Sequence, residues 1–139
     1  MSVSEIPSKL YSLRTFQFVM VGLEDLPPGE AERLAQDVCE VFESHEGEVS
    51  SISSFLIIGY FGLLWSKNSP SAREAVVAGL LRKNATLIRI AHGQCTSLAG
   101  ILGSKQRFSY EGLIPGLQEI REKLSQTAFG TAFEAPEKQ

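Results

Sequence analysis

The stretch FQFVMVGL, residues 16–23, is apolar at nearly every position, the pattern of a β-strand covered on both faces. Pro27, Pro28 and Gly29 break the chain after it, and proline suits a first helical turn. Over about 29–45, Ala31, Leu34, Ala35, Val38 and Phe42 recur on one helical face, with Gly47 suited to a left-handed helix end. Glu48–Ile52 and Phe55–Phe61 read as two strands joined at Ser53-Ser54 by a hairpin with a weak turn signal. A second helix follows the loop at 66–69, with Ser71 and Glu74 as a capping box and Ala75, Val76 and Leu80 on one face. Thr86–Gly93 and Cys95–Gly100 read as strands that turn at Gly93-Gln94. Arg107–Tyr110 is a short extended piece. A third helix spans about Ile114–Leu124, with Leu113, Leu117, Ile120 and Leu124 along one face, and Thr127–Phe133 is a last edge strand.

The order β-α-β-β-α-β-β-α-β mixes crossovers with hairpins. It predicts an α+β fold: a ferredoxin-like, mixed, mostly antiparallel sheet with helices packed on one face. Residues 1–15 form an N-terminal arm, 16–133 a single domain and 134–139 a polar tail.

Composition narrows the functional classes. The chain has 139 residues, is 43% hydrophobic and 21% charged, and carries a formal charge of −3. A mildly acidic chain has no global attraction to phosphate backbones, so nucleic acid is not an expected partner. The longest apolar run, Phe55–Trp65, falls short of the roughly 20 residues of a membrane span and is broken by Gly59 and Gly62. The N-terminal residues lack the apolar stretch of a signal peptide, and cytoplasmic localisation is the expectation. Cys39 and Cys95 are far apart without CxxC spacing; they could pair in an oxidising compartment, but Cys39 falls on an apolar helical face and reads better as a small buried hydrophobe.

Little else suggests chemistry. His92 stands at a strand end with no acidic or cysteine neighbour in sequence, which favours a structural histidine. His45 ends a helix, where a cation complements the macrodipole. Gly100–Lys105 lacks the spacing of a phosphate loop and reads as a turn between strands. Arg107, Phe108 and Tyr110 are of the residue types enriched at interface cores, so they are the expected partner-binding residues.

Three segments carry a resemblance. ESHEGEV at Glu43–Val49 resembles an "ERHGGEV" stretch, and IAHG at Ile90–Gly93 resembles a "GIHTG" strand end. AGILGSKQRFSY at Ala99–Tyr110 resembles "AGxxGSxxRFxY". In this order, over roughly residues 16–124, the chain resembles the class III adenylate and guanylate cyclases. The resemblance implies a dimer, with the segment at Arg107–Tyr110 packing on the partner subunit.

The same resemblance implies lost catalysis. Family members hold two metal ions on paired carboxylates, because Mg²⁺ needs hard anionic oxygens to clamp a triphosphate. Those positions fall here on Gly22 and within Ser53–Phe55, and Glu24 and Asp25 come after the strand end. The family's transition-state Asn and Arg fall near Gln118 and Glu122, with Arg121 and Lys123 adjacent. The purine-selecting lysine falls on Ser50 or Ser51, and only Leu23–Gly29 stands where a phosphate-binding turn belongs. No catalytic, cofactor-binding or metal-binding residue is therefore expected, and no cofactor. The expected role is a dimerisation or protein-interaction module in signalling, as a homodimer or a heterodimer with another cyclase-like domain. The alternatives are one half of a composite cyclase, or a nucleotide-sensing domain beside an active partner.

Overall fold

The computed structural model describes residues 11–53, 55–63, 66–104, 107–112, 114 and 116–137. Among the described residues, six strands and three α-helices follow one another as β1 (Tyr11–Leu23), α1 (Pro28–Ser44), β2 (Glu48–Ile52), β3 (Leu56–Phe61), α2 (Pro70–Asn84), β4 (Ile88–Ser104), β5 (Arg107–Gly112), α3 (Leu117–Ser125) and β6 (Ala132–Glu134). The sheet order is β2-β3-β1-β4-β5, and β6 pairs with β4 in parallel. All other pairings are antiparallel, so the α+β mixed sheet expected from the element order is the architecture.

β1 lies at the centre because its residues are apolar on both sides. Val19, Val21 and Leu23 pack with Leu34, Val38 and Phe42 of α1 and Val76, Val77 and Leu80 of α2. Phe16, Phe18 and Met20 point the other way, into a second cluster with Ile58, Tyr60, Cys95, Ile114 and Leu124. Each fully buried side chain of this size stabilises the fold by about 1.5–3 kcal/mol. Leu117, Ile120 and Leu124 of α3 belong to that second cluster. The helices thus do not share one face: α1 and α2 cover one side of the sheet and α3 the other. The physical reason is the apolar face of β1 at Phe16, Phe18 and Met20, which needs a cover of its own.

Several expected boundaries move. β1 begins at Tyr11, inside the stretch read as an arm, and runs antiparallel to β4 from Tyr11↔Gly100 to Leu23↔Ile88. Residues 1–10 and Trp65 lie outside the described residues. The expected turn at Gly93-Gln94 is absent, and β4 passes straight through it. Glycine is required there for close approach: a Cβ at Gly93 would meet the Ala135 carbonyl oxygen at 2.9 Å and the Phe18 ring at 3.3 Å. The chain reverses instead between Ser104 and Arg107.

The polar C-terminal residues are also tied down. Ala135 is buried and donates its N–H to the His92 carbonyl at 2.8 Å. Glu137 accepts from Gln94 Nε2 at 3.2 Å.

Caps account for the helix ends. Ser69, rather than Ser71, caps α2, its hydroxyl accepting from the Ala72 N–H at 3.1 Å. At the end of α1, His45 Nδ1 lies 3.0 Å from the Val41 carbonyl, in keeping with a capping role. Glu46, not Gly47, takes the left-handed conformation, at φ 60°. The β2–β3 turn is built by Ser53, whose hydroxyl accepts from the N–H groups of Phe55 and Leu56 at 3.3 and 3.0 Å.

Candidate functional site

The two positions that the resemblance aligns with metal-binding carboxylates are adjacent in space. Gly22 pairs with Leu56 on β3, and the Leu23 N–H donates to the Phe55 carbonyl at 2.9 Å. The register therefore places the end of β1 beside the β2–β3 turn, where a pair of carboxylates would have to converge.

An arginine occupies that place. Gly22 pairs on its other side with Arg89 of β4, whose side chain folds across it. A Cβ at Gly22 would lie 3.1 Å from Arg89 Cγ and 3.3 Å from its Nε. The guanidinium is held from behind: Nη1 donates to the carbonyls of Ser125 at 2.9 Å and Thr127 at 3.2 Å, at the end of α3. The Phe129 ring lies 4.4 Å from its Cζ, a cation–π contact. A cavity of about 140 Å³ opens here, lined by Gly22, Phe55, Leu56, Arg89, Arg121, Leu124 and Ser125. Among the described residues its lining includes two arginines and no acidic residue. Phe55 stands at its rim, 65% exposed. This donor set does not fit a divalent cation, which would meet fixed positive charge in place of anionic oxygens.

The α3 residues near the transition-state positions face elsewhere. Gln118 Nε2 donates to Glu122 Oε1 at 3.4 Å on the exposed side of the helix. Arg121, not Glu122, reaches the cavity beside Gly22. Sequence reasoning placed Arg121 next to the relevant position and passed over Arg89. The available signal was a lone arginine in the apolar run Ile88–Ala91.

A second polar cluster lies on the other face of the sheet. Arg73 of α2 is 6% exposed and donates to Gln17 Oε1 at 2.7 Å and to Glu134 Oε2 at 3.0 Å. Gln17 donates in turn to Asn68 at 2.7 Å and Gln94 at 2.8 Å. His92 borders this network, its Nδ1 buried and without a hydrogen-bond partner among the described residues. Burial, with the nearby Arg73 charge, lowers its pKa, against weaker opposition from Glu134 and Glu74. These groups support structure: each strong hydrogen bond ends on a neighbouring strand, helix or loop of the same chain. Glu48, within the ESHEGEV segment, is likewise buried and accepts from the Leu63 N–H at 3.1 Å and from the Ser66 hydroxyl.

The expected partner-binding residues all fall on β5. The register sets Arg107 opposite Ser104, Phe108 opposite Gly103 and Tyr110 opposite Ile101.

No protein-family model and no curated protein sequence matches this chain. Solved structures do. The adenylyl cyclase CyaB from P. aeruginosa is similar at a TM-score of 0.62 and 10% identity, over 90% of this chain and 78% of that one. The catalytic core of a rhodopsin-guanylyl cyclase with converted specificity is similar at a TM-score of 0.67 and 10% identity, over 90% and 79%. The non-canonical dimeric guanylyl cyclase domain of RhoGC, from the aquatic fungus Blastocladiella emersonii, is similar at a TM-score of 0.64 and 10% identity, over 89% and 80%. The fold of this chain is that of the nucleotide cyclase catalytic domain.

Proposed function

We propose that this chain, which has the cyclase catalytic-domain fold, is a cyclase homology domain without cyclase activity that serves as a dimerisation or protein-interaction module in signalling. One observation carries the reading: Arg89 lies over Gly22, where a metal-binding carboxylate would be needed. Phosphoryl transfer of this kind rests on divalent cations and on positive charge placed around the transferring group. An arginine at the metal position repels the ion, so loss of the carboxylates and gain of the cation act in the same direction. The shortened β1–α1 connection, 24–27, supports the same reading, since no room is left for a phosphate-binding turn.

The interface is proposed at the β4–β5 hairpin, with Arg107, Phe108 and Tyr110 as its contact residues. The structurally similar Blastocladiella guanylyl cyclase domain has been crystallised both as a non-canonical dimer and as a monomer, so dimerisation of this fold has a precedent. Two measurements on the purified chain test the reading. Light scattering should give a dimer that Phe108→Asp splits, because an unpaired carboxylate buried in the contact costs several kcal/mol. Incubation with Mn²⁺ and ATP or GTP should give no cyclic nucleotide. Steady turnover would overturn the non-catalytic assignment, and a monomeric parent would overturn the interface.

A further inference from the structure

The cavity at Gly22 has lost the means to hold a metal and has gained what an anion requires. Arg89 and Arg121 line it, and among the described residues no acidic residue does. Arg121 is exposed and makes no ion pair among the described residues. Arg89 Nε is buried and has no hydrogen-bond partner among them, although its Nη1 is fully engaged with the end of α3. A buried donor left unmade is costly, most of all on a charged group. The Ser125 and Thr127 carbonyls and the Phe129 ring fix the guanidinium plane, so little side-chain entropy remains to be lost when an anion arrives.

We infer that the cavity bounded by Gly22, Arg89 and Arg121 binds a phosphoryl oxyanion directly, without a metal ion. Its size sets the class. About 140 Å³ is well below the roughly 300–1,000 Å³ of sites that enclose a drug-sized ligand, so a phosphoryl group fits and a nucleoside stays outside. Two cationic groups match a dianion better than a monoanionic carboxylate. A tetrahedral anion also offers separate oxygens to two guanidinium groups on different elements. Glycine at position 22 keeps the floor open, since any side chain there would crowd Arg89. The inference rests on the reading that the carboxylate pair is gone, but it is tested apart from turnover.

Inorganic phosphate is titrated into the full chain by calorimetry and by ³¹P NMR, in EDTA and at constant ionic strength. Saturable binding is expected. Arg121→Gln should weaken it about tenfold or more, the loss of one charge-assisted contact. Arg121 is exposed, so that variant keeps the fold; Arg89→Lys, which retains the charge but not the fork, checks the second contact and should also weaken binding. Adenosine monophosphate in the same buffer separates the sources: tighter binding than phosphate identifies a phosphoester, and equal binding identifies free phosphate. No saturable binding in EDTA, binding that appears only with Mg²⁺ or Mn²⁺, or binding unchanged in Arg121→Gln would each overturn the assignment. Cyclic nucleotide formation, a separate readout, would overturn the non-catalytic reading instead.

Discussion

Arg73 and Gln17 face each other beneath α2, the arginine Nη1 donating to the glutamine Oε1 at 2.7 Å with both side chains buried. The other partner of the guanidinium, Glu134, has a side chain that is 62% exposed, so the ion pair is screened and the neutral amide carries much of the burial. Gln17→Ala should therefore destabilise the fold by about 1–3 kcal/mol, by leaving a buried cation short of an acceptor. Glu134→Gln should cost less than about 1 kcal/mol. Urea midpoints of the two variants rank the contacts, and the opposite order would show that the ion pair dominates.

A second test concerns packing. A Cβ at Gly59 would lie 2.3 Å from Cε1 of the Phe42 ring, closer than any contact tolerates. Gly59→Ala should cost about 1–3 kcal/mol through overpacking between β3 and α1. Combined with Phe42→Leu, the loss should be smaller than the sum of the two singles, because the shorter side chain vacates the space. Additive losses would mean that the alanine is accommodated by a backbone shift.

Much of this architecture is legible in the sequence, for physical reasons that also mark where legibility stops. β1 and β3 declare themselves because buried strands are apolar at successive positions. α1 does so because Leu34, Val38 and Phe42 keep helical spacing. α2 is harder to read. Its inward stripe runs through Arg73, Val76, Val77, Leu80 and Asn84, and a charged residue on that stripe hides it, while Ala75, assigned inward by its apolarity, is exposed. Gly93 reads as a turn because glycine is also what close approach demands, and only the position of Ala135 and Phe18 distinguishes the two. At the candidate site, the lack of a carboxylate at Gly22 and Phe55 is visible in one dimension. The arginine beside Gly22 is not, since Arg89 and Gly22 meet only through strand pairing.

Acid should weaken the fold through His92. Burial, with Arg73 alongside, lowers its pKa, whereas the unfolded chain titrates near 6.5. Below about 6.5 the unfolded state takes up the proton first, so stability is complete above that value and falls as the pH drops towards the folded pKa. Urea midpoints at about pH 7.5 and about pH 5.5 should differ, with a His92 contribution no steeper than about 1.4 kcal/mol per pH unit. His92→Gln should flatten the dependence. An unchanged slope in that variant would assign it to carboxylates.

The two thiols should report on opening of the fold. Burial, reinforced by Glu137, pushes the Cys95 pKa up to about 12, so almost no thiolate is present at neutral pH. Cys39 is also raised, by burial and then Glu43, but its side chain is only half-buried. An aromatic disulfide reagent should modify Cys39 first and Cys95 at the rate of unfolding. Equal rates in the native protein would show that β4 opens locally.

The pairing of β1 with β4 also dictates when the domain can form. Residues 11–23 meet residues 88–100, so the central contact of the sheet joins segments more than 60 residues apart and includes no local shortcut. Contacts of such separation carry loop-closure entropy before they return any burial, and they place a fold among the slower ones. During synthesis β1 emerges early, its apolar face unmatched, and β3 is the first strand able to cover one edge. β4 follows only after α2 is made. Until then the central strand has an open edge, and a growing chain that pauses between α2 and β4 is the state most exposed to aggregation.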